Sequence, residues 1–361
     1  MNPFKRDEII VLLGAGASKD AGIPHSKEMV RKIENLVNDE WSEYQELYNY
    51  IRSSVYYADG IRGRFGVSVN YNIERIVNTL DELMKKEEHP LYPFIGSWNP
   101  KLLKVAGADF ERLREFRHKI VERLREKWIT LDYREDADYY KGLVAFQEQY
   151  QHPLRVFTLN YDLCVEEFCD PDSLERGFEN RVWDWRLFEL ENKNIYLYKL
   201  HGSTDWVREE GQLTYKSSPP SIDHDQVEMI FGASYKLQYV DPFLFFAYEL
   251  RKWTLSEAKL IISIGYGFGD EHINGILGQA LNSSTDKILL SVAPMPKGKS
   301  EELAQEIENT LGVRHPGQVK CWNHNAEEFM LNYLDVRHLS QELFPVEAEL
   351  FPEIISPDDK E

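Results

Sequence analysis

A chain of 361 residues, 42% hydrophobic and 13% aromatic, can bury a large core and is long for one ordinary domain, so one large domain with an insertion or two unequal domains fit it. Its 61 acidic against 42 basic residues leave a formal charge of −19, which repels phosphate backbones and sets direct nucleic-acid binding aside. Cys164, Cys169 and Cys321 form no CxxC pair, the start MNPFKRDE holds no apolar leader, and no run of about 18 apolar residues occurs; a cytoplasmic protein with no structural zinc and no membrane contact is expected.

The first predicted element is a strand at 9–13, IIVLL, which breaks into the small-residue loop GAGASKDAGIP at 14–24. Helical patterns follow at 27–56, 70–87, 109–130 and 137–150, with apolar spacing of three and four as in Ile73, Ile76, Val77 and Leu80. HPLYPFIGSWNPK at 89–101 reads as a loop inside this helical stretch, which is far longer than a strand-to-helix connection. Short two-sided apolar runs at 154–159, 195–200, 227–231, 259–264 and 287–292 suit strands of a parallel sheet covered on both faces. Helices at 243–257, 272–282 and 301–311 alternate with them, and the acidic tail ISPDDKE is expected to be disordered. The reading is an α/β fold, a Rossmann-like parallel sheet with helices on both faces, plus an inserted helical smaller domain.

The loop after the first strand places Gly14, Gly16 and Ser18 where backbone N–H groups can approach a ligand at a helix N-terminus. It is no Walker A loop, because no GxxxxGK[ST] string exists, and it fails the GxGxxG dinucleotide pattern because Lys19 stands where the third glycine belongs. Glu34 therefore reads as an ordinary helix residue and not as a ribose ligand, and close packing alone could also ask for these glycines. Three further strings place polar residues after apolar strands. FTLNYD at 157–162 carries Asn160 and Asp162, which either face the ligand crevice or cap a helix. KLHGSTDW at 199–206 carries His201, either a satisfied structural histidine or a reactive one at the same sheet edge. IISIGYGFGDEHIN at 261–274 repeats the strand, glycine loop and helix pattern, with Asp270 placed to cap the helix or hold a ribose.

The set GAGASKDAGIP, TLNYD, LHGS, FGASYK (231–236) and GYGFGDEHIN, in this order, resembles the sirtuin family, and more closely its bacterial NADase branch of antiphage defence than the protein deacetylases. The resemblance implies a Rossmann-like NAD-binding domain made of 1–26 and 151–345, an inserted helical domain at 27–150 and a tail at 346–361. It implies catalytic roles for Asn160, His201 and Asp162. Gly14, Ala15, Gly16, Ala17, Ser18, Gly22, Ile23 and Pro24 would wrap the pyrophosphate and nicotinamide ribose of NAD. Gly232, Ser234, Gly265 and Asp270 would meet the adenosine end.

The chain departs from the deacetylase pattern in two places. His25, Ser26 and Lys27 follow Pro24 where deacetylases have Asp-Phe-Arg, and 201–230, where a zinc module would fall, has no cysteine. The activity implied is hydrolysis of NAD to nicotinamide and ADP-ribose, with NAD as substrate and no zinc. A deacylase or ADP-ribosyltransferase, or a non-catalytic NAD or ADP-ribose sensor, would use the same pocket. An effector that depletes NAD needs restraint, so a homo-oligomer and a separate regulatory protein are expected, a HerA-type hexameric ATPase ahead of a short Argonaute. A metal at Asp223, His224 and Asp225 is not expected, since no further ligands lie nearby in sequence, and no GxSxG elbow of a serine hydrolase appears.

Overall fold

The computed structural model describes residues 4–66, 69, 71–85, 100–107, 109–217, 227–231 and 241–344. Strand β1 (Ile9–Leu13) is followed by helices α1 (Ser26–Val37), α2 (Gln45–Ile61), α3 (Ile73–Met84), α4 (Pro100–Ala106), α5 (Glu111–Arg123) and α6 (Lys141–Tyr150). Next come β2 (Leu154–Thr158), α7 (Cys164–Phe168), β3 (Leu174–Glu175), β4 (Phe178–Glu179), β5 (Val182–Trp183), β6 (Ile195–Lys199), β7 (Gly202–Glu209), β8 (Gln212–Tyr215) and β9 (Val227–Met229). The described chain closes with α8 (Phe243–Leu255), β10 (Leu260–Ile264), α9 (Glu271–Ser283), β11 (Ile288–Val292), α10 (Ser300–Leu311), β12 (Val319–Trp322), α11 (Ala326–Asn332) and α12 (Val336–Leu343).

Seven strands form a parallel sheet in the order β12-β11-β10-β1-β2-β6-β3. All five residues of β1 are buried because both faces of the sheet are covered, which is why its sequence is a continuous apolar run. Alternation decides which face each side chain serves. Ile9, Val11, Leu13, Val156, Leu197 and Ile262 join one core with Phe146 and Tyr150 of α6 and Phe329 and Leu339 of α11 and α12. Ile10, Leu12, Phe157, Tyr198 and Ile261 join the opposite core with Phe246 of α8, Leu277 of α9 and Leu311 of α10. The expected α/β fold with helices on both faces is thus present.

A third core lies within the inserted helices, from Met29 to Ile129, and takes in two side chains from outside it, Tyr161 and Phe231. The helical segment expected at 27–150 divides at this point. Ala137, Tyr139, Tyr140, Leu143, Phe146 and Tyr150 pack into the core of the sheet, so 137–150 belongs by packing to the Rossmann-like layer and not to the inserted one. Helical periodicity marks an apolar stripe but not the partner that will cover it.

The run at 227–231 does not join the parallel sheet. Its strand β9 pairs antiparallel with β7 in a separate five-stranded sheet, ordered β4-β5-β8-β7-β9, which the sequence reading did not contain. That sheet packs Trp206 and Leu213 into the core shared with α8 and α9. Gly232, Ser234, the Asp223, His224 and Asp225 string, most of the loop expected at 89–101 and the tail from 345 on lie outside the described residues.

Candidate active site

Strands β10, β1, β2 and β6 are neighbours in that order, so the loops at their carboxyl ends share one edge of the sheet. The chain runs from β1 to β2 and β6 on one side and returns to β10 on the other, so the order reverses between β1 and β10. Such a switch point is where open α/β sheets hold ligands. A cleft of about 990 Å³ opens there, lined by Ala15, Gly16, Ile23, Pro24, Asn160, Asp162, His201, Gly265 and Asp270, and on its far side by residues of the inserted helices.

The glycine loop begins as one tight turn, Ala15–Ser18. Gly14 N–H donates to Ile264 O and Gly16 N–H to Gly265 O, each at 2.9 Å. A Cβ on Gly14 would stand 2.5 Å from Tyr266 Cα, and one on Gly16 would stand 2.8 Å from Gly265 Cα. These glycines let the loops after β1 and β10 run backbone against backbone, a packing role that accounts for Gly14 without a ligand. Of the expected NAD loop, Ala15, Gly16, Ile23 and Pro24 line the cleft, whereas Gly14, Ala17, Ser18 and Gly22 do not.

Ser18 is fully buried behind the loop and ties it to the next one. Its hydroxyl donates to Asp162 Oδ2 at 2.8 Å, accepts from Asn160 Nδ2 at 3.0 Å, and lies 2.8 Å from the Tyr140 hydroxyl. One donor and two lone pairs satisfy all three contacts. Ser18→Ala leaves buried groups of Asn160, Asp162 and Tyr140 short of a partner, and is expected to lower stability by about 2 kcal/mol in chemical denaturation, without change in the denaturant slope.

Asp162 is also held from below. Its Oδ1 accepts from Cys164 N–H at 3.1 Å, and its carbonyl accepts from the buried Lys199 ammonium. Lys199 continues to Glu166 at 3.1 Å, Glu166 to Arg176 at 3.3 Å, and Arg176 to Asp205 at 2.8 Å, a chain of charges beneath the Asn160 to Asp162 loop. Burial alone would push the Asp205 carboxyl up, but the charges of Arg176 and Lys199 hold it below the ordinary carboxylate range.

His201 stands at the corner where the chain leaves the parallel sheet for the antiparallel one. Gly202, at φ 92°, makes that corner in the left-handed region open to glycine. The His201 carbonyl accepts from Ile230 N–H at 2.8 Å, and the Tyr161 hydroxyl donates to Ile230 O at 2.6 Å, so the residue after β9 and the loop after β2 fix the corner together. His201 is 3% exposed, and its ring centroid lies 6.4 Å from that of Tyr161. Burial, with the charges of Glu74 and Asp270, pushes the Tyr161 phenol far up, so it stays neutral.

Asp162 serves Ser18 and Cys164, and the carboxylate beside the imidazole is Asp270, whose Oδ2 lies 3.2 Å from His201 Nε2. Asp270 was expected at the adenosine end. Its placement at His201 follows from the order of the strands, which the sequence does not display.

Several lining residues were not anticipated. His25 is the N-cap of α1, its Nδ1 accepting from Glu28 N–H at 3.3 Å while Glu28 accepts from His25 N–H at 3.1 Å. Asn72 caps α3 by accepting from Arg75 N–H at 2.8 Å, and so brings Asn72 and Glu74 to the cleft. Both caps were legible as a polar residue followed three positions later by a helix-compatible one ahead of an apolar stripe. Arg64, from the turn after α2, reaches Glu271 at the start of α9 at 3.6 Å across the mouth of the cleft. Glu34 binds the Tyr48 hydroxyl at 3.0 Å within the helical layer, in line with its reading as an ordinary helix residue.

The cysteines are buried, and burial pushes the Cys169 thiol up to about 12 and the Cys321 thiol up to about 11. Burial and the neighbouring Asp162 carboxylate push Cys164 higher still. None of the three is a thiolate nucleophile near neutral pH. Among the described residues no group of three or more His, Cys, Asp or Glu could hold a metal ion, and no helix is long and apolar enough to cross a membrane.

The overall arrangement is similar to solved structures at low sequence identity. A crystal structure of a Sir2 homologue in complex with NAD aligns at 15% identity and a TM-score of 0.39, covering 93% of this chain and 90% of that one. A mutant Sir2 homologue in complex with ADP-ribose aligns at 14% identity and a TM-score of 0.37, covering 93% and 92%. A structure described as the basis for mechanism and regulation of Sir2 enzymes aligns at 10% identity and a TM-score of 0.40, covering 96% of both. No curated protein matches the chain significantly in sequence. Residues 154–315, the span that carries Asn160, Asp162, His201, Gly265 and Asp270, match the model of the SIR2-like domain family.

Proposed function

We propose that the cleft binds NAD+ and that the chain is an NAD+ glycohydrolase, releasing nicotinamide and ADP-ribose. The observation that carries this reading is the convergence of Asn160 and His201 on one cleft beside a backbone-lined loop at the switch point of the sheet. Its volume of about 990 Å³ lies at the upper end of small-molecule sites, which suits a dinucleotide. The family match over 154–315 supports it.

In the reaction, the bond from ribose C1′ to the pyridinium nitrogen breaks and its electron pair leaves with a neutral nicotinamide. Positive charge then develops on the ribose, and the site must stabilise it and deliver water. Ser18 holds Asn160 Nδ2, which leaves Oδ1 as the acceptor for a ribose hydroxyl or the incoming water. His201 takes the proton from water, or from a ribose hydroxyl, as the new C1′–O bond forms. Asp162 serves this chemistry by positioning: it holds Ser18, and through it Asn160.

We assign the chain, on the same reading, to antiphage defence by NAD+ depletion in the cytoplasm. It would act as a homo-oligomer restrained by a separate HerA-type hexameric ATPase, a short Argonaute being the second choice. The test is product analysis. The chain, alone and with its partner, is incubated with NAD+ and an acyl-lysine peptide, and nicotinamide, ADP-ribose and acyl-ADP-ribose are quantified. Equal release of nicotinamide and ADP-ribose is expected. Acyl-ADP-ribose would replace the reading with deacylation, and binding without any product would replace it with a sensor.

A further inference from the structure

We propose that Asp270 is the positioning residue of His201, a carboxylate that sets the orientation and tautomer of the imidazole and not a ligand of the adenosine end. The inference rests on the reading of His201 as the proton acceptor. Its geometric basis is that the carboxylate divides its two oxygens between two tasks. Oδ1 accepts from His272 N–H at 3.0 Å and Ile273 N–H at 3.3 Å, the orphan donors at the start of α9. Oδ2 lies 3.2 Å from His201 Nε2, with the side chains of both residues less than a tenth exposed.

The first task secures the second. A carboxylate anchored to the helix cannot swing away from the ring, and the Tyr266 hydroxyl, which donates to Asn274 Oδ1 at 2.8 Å and lies 3.2 Å from the Asp270 carbonyl, ties that backbone to the body of α9. At 3.2 Å the pair is within ion-pair range, yet neither His201 nitrogen makes a well-aligned hydrogen bond among the described residues. A small rotation of the ring toward Oδ2 would align Nε2–H with it and leave Nδ1 as the base. Such second partners commonly fix which nitrogen of a histidine carries the proton. When His201 takes a proton, the carboxylate also stabilises the imidazolium that forms.

Asp270→Asn separates the two tasks, because asparagine caps a helix as well as aspartate does but carries no charge. The thermal midpoint is expected to stay within a few degrees of the parent, while kcat for nicotinamide release falls about tenfold or more and KM for NAD+ changes little. A raised KM at unchanged kcat would make Asp270 a ribose ligand, and no change in either would leave it a helix cap only; both outcomes overturn the proposal. A second readout does not depend on turnover. In ¹⁵N spectra of the imidazoles, with the His201 signals assigned by their loss in His201→Ala, Asp270→Asn is expected to shift the His201 ring nitrogens. Unmoved signals would overturn the pairing even if NAD+ cleavage were confirmed, and moved signals would uphold it even if NAD+ cleavage failed.

Discussion

His201→Ala is expected to lower nicotinamide release from NAD+ by about a thousandfold, the scale on which positioned acid or base groups act. The substitution should leave the fold intact, because the imidazole nitrogens make no well-aligned hydrogen bond among the described residues and the corner is held by backbone contacts to Ile230. Unchanged near-ultraviolet circular dichroism and thermal midpoint would show that the loss is chemical. Asn160→Ala should match it in kcat. Retention of more than a tenth of the parent rate by either variant would remove these residues from the mechanism.

Gly265→Ala should cause the largest loss of stability among single changes near the cleft. At φ 65° an alanine sits in the left-handed region, which costs on the order of 1–3 kcal/mol by itself. Its Cβ would also stand 2.2 Å from Ala17 N and 2.3 Å from Gly16 C, backbone atoms that no rotamer change can move aside. A combined cost of about 4 kcal/mol or more is expected, at the diagnostic end of single substitutions. The loops after β1 and β10 must then separate, so NAD+ binding should weaken along with the denaturation midpoint. A variant within about 1 kcal/mol of the parent would show that the loops can part freely, and with that the packing account of these glycines would fall.

The short βα loops and the runs around them were legible because local chemistry writes them. IIVLL, LRVFT and LIISI have no polar face, so they belong inside a covered parallel sheet, and the polar residues that end such strands fall at its carboxyl edge. Asn160 and His201 were placed at that edge in this way, and both line the cleft. The antiparallel sheet was not legible, since β4 and β5 are two residues each and carry no period. Glu210 and Gly211, both at positive φ, form the hairpin turn between β7 and β8.

Chain order and residue type thus determined the fold class, the helical insertion and the strings that build the cleft. The tertiary structure alone decided that 137–150 packs on the sheet, that Gly14 serves loop packing, and that Asp270 rather than Asp162 faces His201. The reason is physical. Periodicity and turn chemistry report a residue's own backbone and the side it buries, whereas partners across a sheet edge are set by the order β10-β1-β2-β6, which arises only when strands distant in sequence pair.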